Sequence, residues 1–296
     1  MMEEQKKPER VGLIQIDGKM PNLALMKLAK WHKEKGDDVR IIDLSSLGIT
    51  KWYGSKIFMG GSGYDVKQKL PDEIEEQVPD YDLFNTDYSL GFTSRGCIRN
   101  CGFCIVREKE GMMKEVDMNW IKHQKVILWD NNFLASSKWK EKLQYFIDNN
   151  LKVSFNQGLD IRLIDDEKAE ILSRVKYYNR TFTRKVIYFA FDDISMKDIF
   201  IEKMKILTKY IKPYEVMVYF IVGFNSTFKE DMERFEIMRK LGVDPFAMPY
   251  NNSKKNRQIL DFCRWVNKRV YKVCEFKDYD QSKRNLKNKE VTGSGN

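Results

Sequence analysis

The chain has 296 residues, of which 42% are hydrophobic and 32% charged, and 52 Lys and Arg against 43 Asp and Glu leave a formal net charge of +9. That length can bury a large core, either in one α/β domain of barrel size with a small appendage or in two modest domains. No apolar run approaches the roughly 18 residues of a membrane span, and the opening Met1-Met2-Glu3-Glu4-Gln5-Lys6-Lys7 lacks the apolar stretch of a signal peptide, so a cytoplasmic protein with no membrane partner is expected.

In chain order, residues 11–16 read as a buried parallel strand, and Asn22 is placed to cap a helix running from Leu23 to Lys35 and stopping at Gly36. A second strand is expected over Val39 to Leu44, completing a βαβ unit. A short strand at Lys56 to Gly60, the turn Gly61-Ser62-Gly63 and a helix around Asp72 to Gln77 follow, giving a small open α/β layer over residues 1–86. From Tyr88 onward strand and helix alternate. Strands are expected at Ser89–Thr93, Val126–Asp130, Val153–Asn156, Val186–Phe191, Glu215–Val222 and Val243–Met248, with apolar stripes such as Trp139, Leu143, Phe146 and Phe200, Met204, Leu207 on the helices between them. Six repeats predict an α/β fold with an incomplete parallel (β/α)6 barrel over residues 87–250, whose chemistry would sit at the carboxyl ends of the strands.

The first of those strands runs into Gly96-Cys97-Ile98-Arg99-Asn100-Cys101-Gly102-Phe103-Cys104, a CxxxCxxC loop. Three thiolates are an incomplete ligand set, because most four-iron clusters are held by four cysteines, and a cluster tied by three keeps one iron free for an exogenous ligand. A zinc site would need a fourth Cys or a His, and neither His32 nor His123 is spaced as a partner. Three thiols that merely lie close together are the remaining alternative. The chain's five cysteines, an odd number with three clustered, argue against a disulfide framework and for a reducing compartment.

This run resembles the radical S-adenosylmethionine (SAM) superfamily. The resemblance implies a [4Fe-4S] cluster on Cys97, Cys101 and Cys104, SAM on the open iron, Phe103 near the adenine, reductive cleavage of SAM to start radical chemistry, and an electron donor of the flavodoxin or ferredoxin type. Around Gly60-Gly61-Ser62-Gly63, Leu70-Pro71-Asp72-Glu73-Ile74 and Pro79-Asp80-Tyr81-Asp82, the N-terminal region resembles more weakly the cobalamin-binding-like domain that precedes some radical SAM cores. The cobalt-ligating histidine of that domain has no counterpart in Asp17-Gly18-Lys19-Met20-Pro21, so a shortened layer without cobalamin is expected.

Polar residues at the other strand ends become candidates for holding SAM and substrate. Asp130 could accept from an ammonium, and Asn131 and Asn132 could bond a carboxylate or ribose; a helix cap with turn-forming asparagines is the competing role. Asn156, Gln157 and Arg162 end the third strand, Arg162 as a carboxylate partner or, alternatively, as a salt bridge to Asp160 or Asp165. Asp192 is placed to hold ribose hydroxyls, and Gly223 to let backbone approach adenine, unless it is a simple turn before a helix capped by Ser226 or Thr227. Residues 251–296 carry twelve Lys and Arg against five Asp and Glu. A helix over 258–272 with Ile259, Cys263, Val266 and Val270 inward would leave Arg264, Lys268, Arg269 and Lys272 outward, with Trp265, Tyr271 and Tyr279 interleaved, so nucleic acid is a candidate substrate and a solvated basic face the alternative. Cys263 and Cys274 read as buried thiols, and residues 290–296 as disordered. The competing function is a nucleic-acid-binding protein whose cluster is structural or redox-sensing.

Overall fold

A computed structural model describes residues 7–42, 48–56, 70–250 and 255–279. Residues 57–60 of the strand expected over Lys56 to Gly60, the Gly61-Ser62-Gly63 turn, Lys254 and residues 290–296 lie outside them. The chain forms two compact units, one from Met1–Phe92 with Asp117–Leu128, the other from Thr93–Val116 with Trp129–Asn296.

In the first unit, β1 (Arg10–Gln15), α1 (Leu23–Glu34), β2 (Asp38–Ile41) and β3 (Lys51–Ser55) build a parallel sheet of order β2-β1-β3, with Val11 opposite both Val39 and Lys51. Val11 and Leu13 bury against the apolar stripe Leu25, Leu28 and Ala29 of α1. The Asn22 side-chain oxygen accepts from the backbone N–H of Ala24 and Leu25, and its amide donates to Ser55 Oγ at 2.9 Å, so one residue caps the helix and ties it to β3. Sequence periodicity missed β3. Its run Lys-Trp-Tyr-Gly-Ser carries a glycine and leaves Trp52 exposed, the signature of an edge strand without a clean apolar face. After α2 (Asp72–Glu75), β4 (Ser89–Gly91) pairs in parallel with β7 (Lys125–Leu128). Gly91 is required there, since a Cβ would stand 2.8 Å from the Trp120 ring, whose Nε1 donates to Phe92 O.

The second unit opens with an antiparallel pair, β5 (Ser94–Arg95) against β6 (Lys114–Glu115), which encloses the cysteine loop and α3 (Val106–Glu110). Helices and parallel strands then follow one another, alternating except at β9 and β10: α4 (Trp139–Asp148), β8 (Lys152–Phe155), α5 (Asp166–Arg174), β9 (Lys176–Tyr177), β10 (Ile187–Ala190), α6 (Lys197–Leu207), β11 (Val216–Val222), α7 (Phe228–Lys240), β12 (Asp244–Pro249) and α8 (Arg257–Asn267). β8 pairs with β9, and β10-β11-β12 form a parallel sheet in that order. β9 escaped the sequence because two residues carry no period. Along β11 the alternation is strict: Val216, Val218, Phe220 and Val222 are buried, while Met217, Tyr219 and Ile221 on the opposite face stay partly open. The chain is therefore an α/β protein with parallel sheets.

The C-terminal helix departs from expectation in two ways. It ends at Asn267, because Arg269 takes a left-handed conformation (φ 54°) before a short 3-10 turn over Val270–Lys272. Trp265, expected among the cations, is instead only 1% exposed, in an aromatic core with Phe235, Phe262 and Phe276. Several of the cations are paired as well: Arg257 and Arg264 with Asp261, and Arg269 with Asp244. Cys263 is buried, and burial pushes its thiol up to about 12; Cys274 is half-buried.

Candidate functional site

The cysteine loop is fixed from behind by β7's exit. Asp130 is buried; its Oδ2 accepts from Thr93 N at 2.9 Å, and its Oδ1 from Thr93 Oγ1 and Ser94 Oγ, both at 2.7 Å. Burial raises this carboxyl, and those three hydrogen bonds work against the rise. Both oxygens are thus committed to the loop's entry, and Asp130 anchors the loop instead of facing a ligand. Asn131 continues the same job, its Oδ1 accepting from Gly96 N at 3.0 Å. Gly96 itself has φ +79°, and a Cβ there would stand 2.3 Å from Met112 O, so no other residue fits. On the other side the buried Lys142 ammonium donates to Thr93 O at 2.7 Å and Ser136 Oγ at 2.9 Å and pairs with Glu115 of β6.

So held, Cys97, Cys101 and Cys104 present free thiols to one cavity of about 450 Å³. Cys97 and Cys101 are half-buried and Cys104 exposed. Cys97 Sγ accepts from Arg99 N at 3.3 Å and lies 3.6 Å from Asn132 Nδ2. Burial raises the Cys101 thiol; the Arg162 guanidinium opposes it, and the neighbouring Cys104 and Cys97 add to it.

The end of β8 supplies the opposite wall through a node centred on Asp160. Arg162 grips this carboxylate with Nε to Oδ1 at 2.7 Å and Nη2 to Oδ2 at 2.9 Å, and Arg99 of the cysteine loop adds Nε to Oδ2 at 3.0 Å. Burial alone would raise Asp160, but Arg162 and then Arg99 hold it below the ordinary carboxylate range. Two guanidinium ions sharing one carboxylate leave a net positive charge beside the thiols. Asn132 donates weakly to the same carboxylate (3.4 Å), while its own buried Oδ1 has no partner among the described residues.

Asp192 lines the cavity where β10 ends, its Oδ1 accepting from Ile221 N at 2.9 Å, and burial pushes its carboxyl up to about 6. After β11, Gly223 (φ +76°) turns the chain, and its N–H is held by Asp231 Oδ2 at 3.0 Å. Thr227 then caps α7 in a capping box with Glu230. The turn sends Phe224 into the cavity, edge-on to Phe103 with ring centres 5.5 Å apart.

Of the residues singled out from sequence, Cys97, Cys101, Cys104, Phe103, Asn131, Asn132, Gln157, Arg162 and Asp192 line this one cavity. Asp130, Asn156 and Gly223 do not. Arg99, Asp160, Phe224 and Tyr219 also line it and were not predicted as site residues; Arg99 sat in plain view between two cysteines, whereas the other three are defined only by where distant strands end. Elsewhere, Glu9, His32 and Asp37 bring ligand atoms within 4.8 Å of one another, but His32 Nδ1 is taken by Asp37 (2.6 Å) and Nε2 by Tyr53 (3.1 Å), which leaves no ring nitrogen for an ion. No protein-family model matches the chain, and no curated protein does.

Proposed function

We propose that the chain is a radical SAM enzyme, with Cys97, Cys101 and Cys104 holding a [4Fe-4S] cluster and the adjoining cavity taking SAM. The observation that carries this reading is the convergence of three unpaired thiols of a CxxxCxxC loop on a cavity that also holds a net positive node, an unpartnered buried amide oxygen and an aromatic wall. The donor set fits a cluster, since soft thiolates are its ligands and three of them leave one iron open. The finer fold in this reading is an incomplete parallel barrel, supported by the succession of parallel strands and helices and by the cavity residues that follow the carboxyl ends of β8, β10 and β11, among them Gln157, Asp160, Asp192 and Phe224.

Held by Cys97, Cys101 and Cys104, a reduced cluster with an open iron would supply the electron for cleavage of SAM. The protein's own part is binding and orientation. The orphaned Oδ1 of Asn132 suits an ammonium donor, the outer face of Arg162 a carboxylate, Asp192 a ribose hydroxyl pair, and the Phe103–Phe224 corner an adenine ring. The reading calls for a one-electron donor protein, and the exposed Cys104 side of the loop is where an electron would enter. The competing reading, a nucleic-acid-binding protein with a structural or sensing cluster, leans on the basic C-terminal face, which the pairing of Arg257, Arg264 and Arg269 weakens.

Two measurements test the proposal. Anaerobic reconstitution with iron and sulfide should load about four irons per chain, and a Cys97→Ala/Cys101→Ala/Cys104→Ala variant should load none; equal loading of the variant puts the cluster elsewhere. Reduction with SAM should then yield 5′-deoxyadenosine by chromatography with mass detection. A reducible cluster that produces none, with or without cell extract, turns the assignment to the structural or sensing reading.

A further inference from the structure

The cavity has two aromatic walls, and SAM has a single aromatic ring system. One wall is Phe103 with Phe224, the latter packed edge-on against Tyr250 at 4.7 Å. The other is Tyr219 of β11, which stacks on Tyr188 of β10 with ring centres 5.2 Å apart and planes within 12°, and meets the exposed Phe246 of β12 edge-on at 5.7 Å. Tyr219 faces the cavity because it lies on the partly open side of β11 and because Gly158 stands before it: a Cβ on Gly158 would come within 3.3 Å of the ring. Neither tyrosine hydroxyl has a hydrogen-bond partner among the described residues.

Three further groups on the same cavity are uncommitted. The side-chain amides of Gln157 and Asn225 are exposed and make no hydrogen bond among the described residues. Arg99 spends only its Nε on Asp160, which leaves the two terminal nitrogens of its fork unbonded. A flat ring surface, two free amides and a free guanidinium fork match, in turn, the face of a base, its hydrogen-bonding edge and a phosphate.

Resting on the radical SAM reading, we propose that the second wall is a substrate site for a nucleotide unit, with the base on Tyr219, its edge read by Gln157 and Asn225, and a phosphate on the Arg99 fork. The reacting carbon of the substrate then lies between the two aromatic walls, next to the cysteine loop. A free mononucleotide and a nucleotide within a single strand present the same chemistry, and the two are separated by which probe binds.

The test uses the full chain, reconstituted without oxygen and saturated with S-adenosylhomocysteine, so that the SAM site is filled. Binding is measured calorimetrically for the four ribonucleoside 5′-monophosphates, their nucleosides, and ten-nucleotide single strands of RNA and DNA. At least one nucleotide probe is expected to bind alongside S-adenosylhomocysteine. Tyr219→Leu should weaken it about tenfold or more, as loss of base stacking does, while Tyr219→Phe keeps the ring and the affinity. Arg99→Gln, with cluster loading checked in the same preparation, should weaken the phosphate-bearing probe about tenfold more than it weakens the nucleoside. Mononucleotide binding identifies a free nucleotide, and binding of the strands alone a polymer. The inference is overturned if no probe binds, if S-adenosylhomocysteine displaces the probe, or if folded Tyr219→Leu protein binds as tightly as the wild type. Should the chain fail to load a cluster or bind S-adenosylhomocysteine, the radical SAM reading falls; a Tyr219-dependent nucleotide signal would still stand as a separate result.

Discussion

Arg99 and Asp160 are 61 residues apart in sequence and meet at 3.0 Å, so a side chain inside the CxxxCxxC loop is fastened to the carboxyl end of β8. Asp160 also grips Arg162 bidentately and is nearly buried, which makes it the one anion that reconciles two cations beside the thiols. The loop's geometry therefore depends on a residue outside the motif.

Asp160→Asn should release both guanidinium groups and cost about 1–3 kcal/mol, read by chemical denaturation. Its pH signature has a definite sign. The folded-state pKa lies below the unfolded one, so the contribution is fully present above the ordinary carboxylate value and is lost as pH falls through the depressed folded value. Wild-type stability should drop through that acidic window relative to the variant. A constant difference between the two down to pH 2 would contradict the charged node.

Gly96→Ala meets both a left-handed φ of +79° and a Cβ 2.3 Å from Met112 O. The cost should be at least about 2 kcal/mol, with the loop displaced. A melting curve and iron content after reconstitution check it together; an unchanged pair of values would mean that the loop tolerates a side chain at its first turn.

Lys142→Met removes the ammonium that joins Thr93 O, Ser136 Oγ and Glu115. Glu115 keeps some solvent contact, so the loss should be about 2 kcal/mol, below that for breaking a fully buried pair. Lys142→Met/Glu115→Gln should recover part of it in a double-mutant cycle, whereas strictly additive losses would show that the pair is not coupled.

Asp192→Asn tests the raised carboxyl. With a folded pKa of about 6 above the unfolded value, the group favours folding below the unfolded pKa, and that advantage is lost as pH rises through about 6. The variant should gain on the wild type between about pH 4 and pH 7, by about 2–3 kcal/mol for a shift of this size. Melting temperatures across that range decide, and parallel curves would contradict the burial.

Local chemistry made much of this legible in sequence. The Asn22 cap, the apolar stripe of α1, the long strand β11 and the Thr227 cap all announce themselves within a few residues, as does the CxxxCxxC spacing. Long-range commitments do not. Asp130 reads as a free carboxylate at a strand end, and only the folded chain reveals that Thr93 and Ser94 consume it. Trp265 sits among cations in sequence and in an aromatic core in space, because the helix phase that buries Phe262 and Val266 also turns Trp265 inward. Tyr219 looks like any core aromatic until Gly158, 61 positions earlier, is seen to stand beside its ring in the wall of the cavity.

The path of the chain between its two units bears on synthesis. It leaves the first unit at Phe92, makes the cysteine hairpin, returns for Asp117–Leu128 and departs again at Trp129. Because β4 needs β7 as its parallel neighbour, the first unit cannot close until Leu128 has emerged from the ribosome. By then all three cysteines of the loop have already been translated. A fragment starting at Thr93 would carry β7 without its neighbour β4.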